Sequence, residues 1–496
     1  MKNDLKDLQL VLDSRVRLIV IESWDELRVL ETLTSLAVQR GMNLRVWSVS
    51  EGLQGMAFGA EKQDDSHIPE KALRLVKADP QAGLYVFFDL HAFLENDALL
   101  VRLIKDIGMA TGPGKPTLIL VSHALKLPPE VQRYAARFSV SLPSEDELLA
   151  IVREEALRWS EVNRGLRVRT DNRTLQQVVK NLRGLSHADA RVLARNLICD
   201  DGAITQEDLP ELNKAKFQLL DLDGVLGYEG DTAHFADVGG LHHLKQWLSE
   251  RQAVFLAGTA SDLPKGMLLL GVQGSGKSLA AKAVAGLWGL PLLRLDFASL
   301  YNKYFGETER NLREALLMAE RMSPCVLWMD EIEKGLATGD LDNGVSQRVL
   351  GTLLTWMAER KTPVFVVATA NIIERLPPEL MRKGRFDEIF FVDLPAAVVR
   401  EDIFRIHLEK RELIAAEFNL TALAAASDGF SGAEIEQAVV SALYAAQARQ
   451  IMVTQQLIIE ALQRTVPLSV VMSEELAGLR HWAKIRQLHL RHASVE

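Results

Sequence analysis

Two cysteines in 496 residues, Cys199 and Cys325, are too few and too far apart for a disulfide framework, and no Cys or His stands beside either at ligand spacing. Neither a disulfide-stapled fold nor a zinc site is therefore expected, and a reducing, cytoplasmic setting follows. Long apolar runs are missing too. Residues 18–21, 84–88 and 364–368 are among the longest, and all fall far short of the ~18 residues that a bilayer-spanning helix needs, so no membrane span is expected. The opening Met1-Lys2-Asn3-Asp4-Leu5-Lys6-Asp7 mixes acids with bases and leads into no apolar core, unlike a secretory leader. Positive charge is not in excess either. The formal charge is −9, the wrong sign for a surface that wraps nucleic acid, although a local basic patch remains open. What is present is ordinary globular usage, 48% hydrophobic and 25% charged, in a chain long enough for about three domains.

Gly224, Gly227 and Gly230, set among acids, make 223–234 the best candidate linker. Downstream, short apolar runs at 267–270, 292–295, 326–329, 364–368 and 389–392 alternate with longer helical patterns, the rhythm of a parallel α/β sheet. After Pro395 the strands stop, and 400–410, 420–427 and 433–449 read as helices. The first half repeats this plan. Tyr85-Val86-Phe87-Phe88-Asp89 matches Val326-Leu327-Trp328-Met329-Asp330, Leu127-Pro128-Pro129-Glu130 matches Leu376-Pro377-Pro378-Glu379, and two further pairs follow in the same order: 139–143 with 391–395 and 184–189 with 429–434. The fold expected is α/β. Its divisions are an α/β domain at 1–143, a helical subdomain at 144–222, the linker, a second α/β domain at 235–396, and a helical subdomain with a C-terminal extension at 397–496.

Gly271-Val272-Gln273-Gly274-Ser275-Gly276-Lys277-Ser278 fits the phosphate-loop pattern, with an apolar run before it and a helical pattern after it. Glycines let the backbone curl so that successive N–H groups and a helix N-terminus face a phosphate that a Cβ would block. Gln273, Gly274, Ser275, Gly276 and Leu279 are expected to hold the nucleotide, with Lys277 reaching the β- and γ-phosphates and Ser278 ligating Mg²⁺. The strand at 326–329 ends in Asp330 and Glu331, placed 53 residues after Lys277. Asp330 is expected near the Mg²⁺, and Glu331 where it can polarise an attacking water. Asn371, ending the next strand, could orient that water, touch the γ-phosphate, or simply begin a turn. Arg382 and Arg385 lie close to a helix end and also read as a C-terminal cation pair.

These residues resemble the AAA ATPases over about 235–449. Phe235-Ala236-Asp237-Val238-Gly239-Gly240-Leu241 is similar to the family's adenine-contacting segment, which implies Asp237, Val238 and Gly239 at the nucleotide. Ala368-Thr369-Ala370-Asn371 resembles its sensor 1, Arg382 and Arg385 its paired arginine fingers, and Gly432 and Ala433 the start of its sensor 2 helix. His407 falls where a lid histidine lies beside adenine and ribose. The chain departs from the usual pattern at Val272-Gln273 and at Lys334, which follows the acids. Together with Leu354-Thr355-Trp356 and the long N-terminal half, it looks most like the hypothetical plastid-genome AAA proteins and their bacterial relatives.

The resemblance implies ATP and Mg²⁺ as cofactors, ATP hydrolysis, and a homo-oligomer, a hexameric ring in which the arginines reach a neighbour's ATP. It implies remodelling of a protein client recruited by residues 1–215. A nucleic-acid motor or loader and an ATP-switched regulatory scaffold are the alternatives. Tyr304, in Lys303-Tyr304-Phe305-Gly306, resembles a pore-loop aromatic that grips a client chain, or else is packed. In the first half the equivalent of the phosphate loop falls at 19–26, with no glycine or lysine and with acids at Glu22, Asp25 and Glu26. That reads as a degenerate, nucleotide-free AAA-like domain, with Leu90 standing where Glu331 stands in the second half. The basic helix carrying Arg480, Lys484, Arg486 and Arg491 with Trp482 and Ile485 reads as a solvated face before a nucleic-acid or membrane contact.

Overall fold

The computed structural model describes residues 2–55, 65–95, 97–112, 114–123, 125–220, 225–230, 232, 238–258, 262–300, 307–336, 345–382 and 384–485. Tyr304, Asp237, Arg486 and Arg491 lie outside them. The chain forms two compact units, residues 1–167 with 185–196, and residues 168–184 with 197–496. Both are α/β, as expected.

The first unit is built on a six-stranded sheet of β1 (Leu18–Glu22), β2 (Asn43–Ser48), β3 (Gly52–Gly55), β4 (Gly83–Phe88), β5 (Thr117–Ser122) and β6 (Ala135–Phe138), in the order β3-β2-β4-β5-β1-β6. All neighbours are parallel except the edge hairpin β2–β3. Successive side chains alternate between two apolar layers. Leu18, Val20, Tyr85, Phe87, Leu118 and Leu120 face the helices Pro69–Ala78 and Ala98–Gly108. Ile19, Ile21, Leu84, Val86, Ile119 and Val121 face the helices Lys2–Asp13 and Glu26–Arg40. Burial on both faces is why these strands read as continuous apolar runs and not as alternating ones.

The second unit carries the short pair β7 (Arg169–Thr170) and β8 (Ala203–Ile204), then a sheet of β9 (Leu226–Glu229), β10 (Gly266–Gly271), β11 (Leu292–Leu295), β12 (Cys325–Met329), β13 (Val364–Ala370) and β14 (Glu388–Val392). Its order, β9-β11-β12-β13-β10-β14, sets the five parallel strands as the first sheet sets β2-β4-β5-β1-β6. The edge strands come from different places in the chain. β3 follows β2 as a hairpin, whereas β9 precedes the whole sheet and pairs antiparallel with β11. That corrects the reading of 223–234 as a linker, because Leu226–Glu229 within it is hydrogen-bonded sheet. A strand of four residues containing Gly227 has little local signal, and β11 supplies the ladder that makes it one.

Face parity also corrects one correspondence. The helices Glu26–Arg40 and Lys277–Trp288 each follow the first parallel strand of their sheets, and Val86 and Phe88 face the first helix as Val326 and Trp328 face the second. Asp89 therefore falls on the parity of Glu331. Both are non-glycine residues at positive φ, 51° and 47°. Leu90, buried in its apolar layer, matches the buried Ile332, and Phe88 stands where Asp330 stands. The loop after β1 is Ser23-Trp24-Asp25, three residues, against the five of 272–276 after β10. Asp25 caps two helices there, accepting from the backbone N–H groups of Arg28 (3.2 Å) and Ala188 (3.2 Å).

Beyond β14 the helices Ala397–Glu409, Leu420–Ala426, Gly432–Arg449 and Gln455–Gln463 pack a core of their own around Phe404, Leu423, Val439 and Ile458. Helix Ser473–Ile485 returns to the sheet, with Ala483 in the β10–β13 core layer and Arg480 paired bidentately to Asp393 at 2.8 and 2.9 Å. Arg480 is thus held in an ion pair, and Trp482 packs against the core. Among the described residues no helix is long and apolar enough to cross a membrane. Cys199 and Cys325 are unpaired.

Lys216, 1% exposed on the helix Leu209–Leu220, donates to the Arg183 carbonyl at 2.6 Å, and burial pushes its pKa down to about 7 from 10.5. Below pH 7 both folded and unfolded chains are protonated, and the full cost of the buried ammonium is present. Between 7 and 10.5 the unfolded chain holds a proton that the folded one has lost, so stability rises with pH. Lys216→Met should therefore stabilise the chain at pH 6 by about 1 kcal/mol or more. Its advantage should shrink above pH 7 by at most ~1.4 kcal/mol per pH unit. Urea melts of both chains at pH 6, 8 and 9.5 measure this, and a constant difference would mean that Lys216 stays charged.

Candidate active site

The site begins where β10 ends. Gly271 lies so close to β14 that a Cβ there would sit 2.1 Å from the Val392 carbonyl oxygen. Gly274 and Gly276 take φ of 77° and 91°, which side-chain-bearing residues rarely adopt. The loop then turns its amides towards the space ahead of the helix Lys277–Trp288. Lys277 is 6% exposed, and its Nζ donates back to the carbonyls of Gly271 (2.9 Å) and Val272 (2.6 Å). Burial pushes its pKa down to about 8, partly opposed by Glu333, Asp330 and Glu331. The ammonium is thus held over its own loop by neutral acceptors that an anion can replace.

β12 and β13 bring the acids up beside it. Met329 pairs with Ala368, so the next residues, Asp330 and Thr369, stand opposite each other. Thr369 Oγ1 donates to Asp330 Oδ1 at 2.6 Å and accepts from the Glu331 backbone N–H at 3.0 Å, which uses its hydroxyl in both directions. Asp330 Oδ1 also accepts from Ser278 Oγ at 3.4 Å. Two hard oxygen donors from two elements suit Mg²⁺ better than a softer ion.

Glu331 is held on both oxygens. Asn371 Nδ2 donates to Oε1 at 2.8 Å, and Lys334 pairs with Oε2. That pair raises the pKa of the exposed Lys334. Glu333, 1% exposed, accepts from the Asn371 backbone N–H at 2.9 Å and so fixes the turn that carries Asn371.

Residues of the loop, both acids after β12, Thr369 and Asn371 line one cavity of about 510 Å³. Gln273, Gly274, Ser275, Gly276, Lys277, Ser278 and Leu279 form its floor, and Asp330, Glu331, Thr369 and Asn371 form one wall. Val238, Gly239, His407, Gly432 and Ala433 line it as well. The Ala433 backbone N–H donates to the Gly274 carbonyl at 3.3 Å, tying the helix Gly432–Arg449, the lid helix, to the loop. His407 is driven towards its neutral form by burial, against the opposing pull of Glu436, whose Oε1 lies 3.6 Å from its Nδ1 and 2.9 Å from Arg411.

Of the residues expected at the site, Arg382 and Arg385 are not among those lining the cavity, and Asp237 is outside the described residues. Arg382 is exposed, and the Arg385 guanidinium donates to the Leu354 carbonyl. Sequence reasoning gave no role of their own to Thr369, named only within the sensor 1 resemblance, or to Glu333 and Glu436. Glu436 stands four residues after Gly432 on one helix face, a spacing that could have pointed to it. The Thr369 bridge depends on strand register, which one sequence does not display.

Residues 267–394 fit the family model of the ATPase family associated with various cellular activities (AAA), and 417–461 fit the AAA+ lid domain. Residues 4–140 and 146–223 fit the N-terminal and second domains of SpoVK-like AAA ATPases. The AAA domain-containing protein ycf46 of Guillardia theta is 35% identical, over 98% of this chain and 96% of its own length. That of Pyropia yezoensis is 34% identical, over 97% and 98%. A proteasome-activating nucleotidase of Aeropyrum pernix is 36% identical, over 45% of this chain and 57% of its own length.

Thr369 gives a direct test of the wall. Thr369→Val keeps the shape and removes the hydroxyl, leaving a carboxylate oxygen and an N–H without their shared partner, and should cost about 1–3 kcal/mol. Thr369→Ser should recover most of the loss. Denaturant melts of the three chains measure both, and a Val variant as stable as the parent would show that the bridge is dispensable.

Proposed function

This chain belongs to the AAA ATPase family, and from that premise we propose that it binds ATP with Mg²⁺ in the cavity of the second unit and hydrolyses it. One observation carries the reading: the phosphate loop, the two acids ending β12, Asn371 and the start of the lid helix, widely separated in sequence, line a single cavity. The amides of 273–279 and the helix N-terminus receive the β-phosphate. Lys277 exchanges two carbonyl partners for phosphate oxygens. Asp237, Val238, Gly239, His407, Gly432 and Ala433 hold the nucleoside end. Ser278 and Asp330 hold Mg²⁺, which when bound offsets the charge on the phosphates. Glu331 takes the proton of the attacking water, and Asn371 fixes its carboxylate. Lys334 and Asn371 each take one acceptor site on a different Glu331 oxygen, which leaves the remaining lone pairs of the carboxylate for a water.

Arg382 and Arg385 serve a neighbouring subunit, since neither lines the cavity of its own chain. A head-to-tail contact of this kind closes into a ring, which we take to be six subunits. The client is a protein recruited by residues 1–215. Kinship with a proteasome-activating nucleotidase supports a protein client, and the net charge of −9 weighs against nucleic acid. Two unpaired cysteines agree with a reducing cytoplasm.

Two variants divide binding from chemistry. Lys277→Ala should abolish ATP binding, whereas Glu331→Gln should keep it and lower turnover by about 10²–10⁴-fold. Titration with a fluorescent ATP analogue beside a phosphate-release assay reads both. Hydrolysis that survives in the Gln variant would remove Glu331 from the role of base.

A further inference from the structure

The first unit repeats the strand plan of the second but places different chemistry at the same strand ends. Asp89 follows β4 as Glu331 follows β12, and His91, two residues on, takes the place of Glu333. Phe88 pairs with Val121, two residues before His123. Continuing the Met329–Ala368 register sets Asp330 against Thr369, two residues before Asn371. The trio Glu331, Glu333 and Asn371 is thus replaced by Asp89, His91 and His123. Two carboxylates and an amide have become two imidazoles and a carboxylate.

We propose that Asp89, His91 and His123 form a binding site for a first-row divalent transition-metal ion of the Zn²⁺ type, separate from the nucleotide site. One ligand atom from each lies within 4.8 Å of the other two. A tetrahedral ion with bonds of ~2.0–2.2 Å needs ligand atoms ~3.4 Å apart, so side-chain rotations of about 1 Å close the set. Asp89 and His123 are exposed, and His91 is partly so, which leaves those rotations free.

The surroundings already orient the rings. His91 Nδ1 lies 2.8 Å from the Oγ of Ser122, which is 2% exposed, and 3.7 Å from Asp89 Oδ1, so the Ser122 contact holds the ring with this nitrogen towards the carboxylate, and an ion bound there takes the place of the Ser122 bond. His123 stacks on Trp24, with centroids 4.4 Å apart and planes at 25°, and meets His91 edge-on at 5.0 Å. Glu26, whose carboxyl pKa is raised first by burial and then by Asp89, adds negative potential beside them. Two imidazoles and one carboxylate favour Zn²⁺, Co²⁺ or Fe²⁺ over Mg²⁺ and leave coordination positions for water. Cysteine spacing gives no sign of such a site. Its histidines are 32 residues apart and meet only because β4 and β5 are neighbours.

The full-length chain, stripped of metal by a chelator and kept without nucleotide in excess Mg²⁺, is titrated with Co²⁺ and followed by equilibrium dialysis and visible absorption. One Co²⁺ per chain should bind, with d–d bands that Zn²⁺ abolishes. The double variant His91→Ala/His123→Ala should bind at least tenfold more weakly while melting as the parent does without metal. If the double variant does not fold, the exposed His123→Ala is read in its place. No stoichiometric Co²⁺ binding by the parent, or undiminished binding by the folded variant, overturns the proposal.

Discussion

The hydrogen-bonded register of β10, β13 and β12 is the constraint on which the rest of the site depends. Leu270 pairs with Ala370 and Met329 with Ala368, so the loop after β10, the acids after β12 and Asn371 after β13 emerge side by side. A one-residue slip of β12 would carry Asp330 to the opposite face of the sheet and separate it from Thr369. Burial on both faces prevents the slip, since every residue of these three strands is buried and any shift would drive Trp328 and Met329 into the wrong apolar layers. The core therefore sets the site geometry, and the polar contacts of Thr369 and Glu333 refine it.

The same constraint acts in the first unit with a different result. Its parallel strands share the order, and its strand ends converge as those of the second unit do, yet the loop that follows β1 is two residues shorter and glycine-free. Asp25 spends its carboxylate on capping backbone N–H groups of the kind that a phosphate would otherwise take. Phe88 replaces the carboxylate that faces Ser278 in the second unit. On our reading the architecture was kept while the triphosphate chemistry was lost, and imidazoles came to stand at positions that hold acid and amide in the second unit.

Much of this was legible in the sequence because it is local. The phosphate loop is contiguous, and its glycines declare themselves by type. Strands buried on both faces appear as apolar runs, and the capping box Ser431–Glu434 marks the start of the lid helix. What could not be read depends on partners distant in sequence. Leu226–Glu229 is a strand only because β11 offers a ladder, and Gly227 within it, with Gly224 and Gly230 on either side, reads locally as a linker. Sliding the two halves along each other put Leu90 opposite Glu331, and the layer each side chain faces was needed to put Asp89 there. Arg382 and Arg385 were named from a resemblance, and their separation from the cavity is a property of the folded chain.

The central claim is that two units of one plan differ in nucleotide chemistry, and counting bound nucleotide tests it most directly. Equilibrium dialysis of the Glu331→Gln chain against radiolabelled ATP and Mg²⁺ should saturate at one ATP per chain, and at none once Lys277→Ala is added. Saturation at two, or one ATP retained after the lysine is removed, would contradict the account by placing a working site in the first unit.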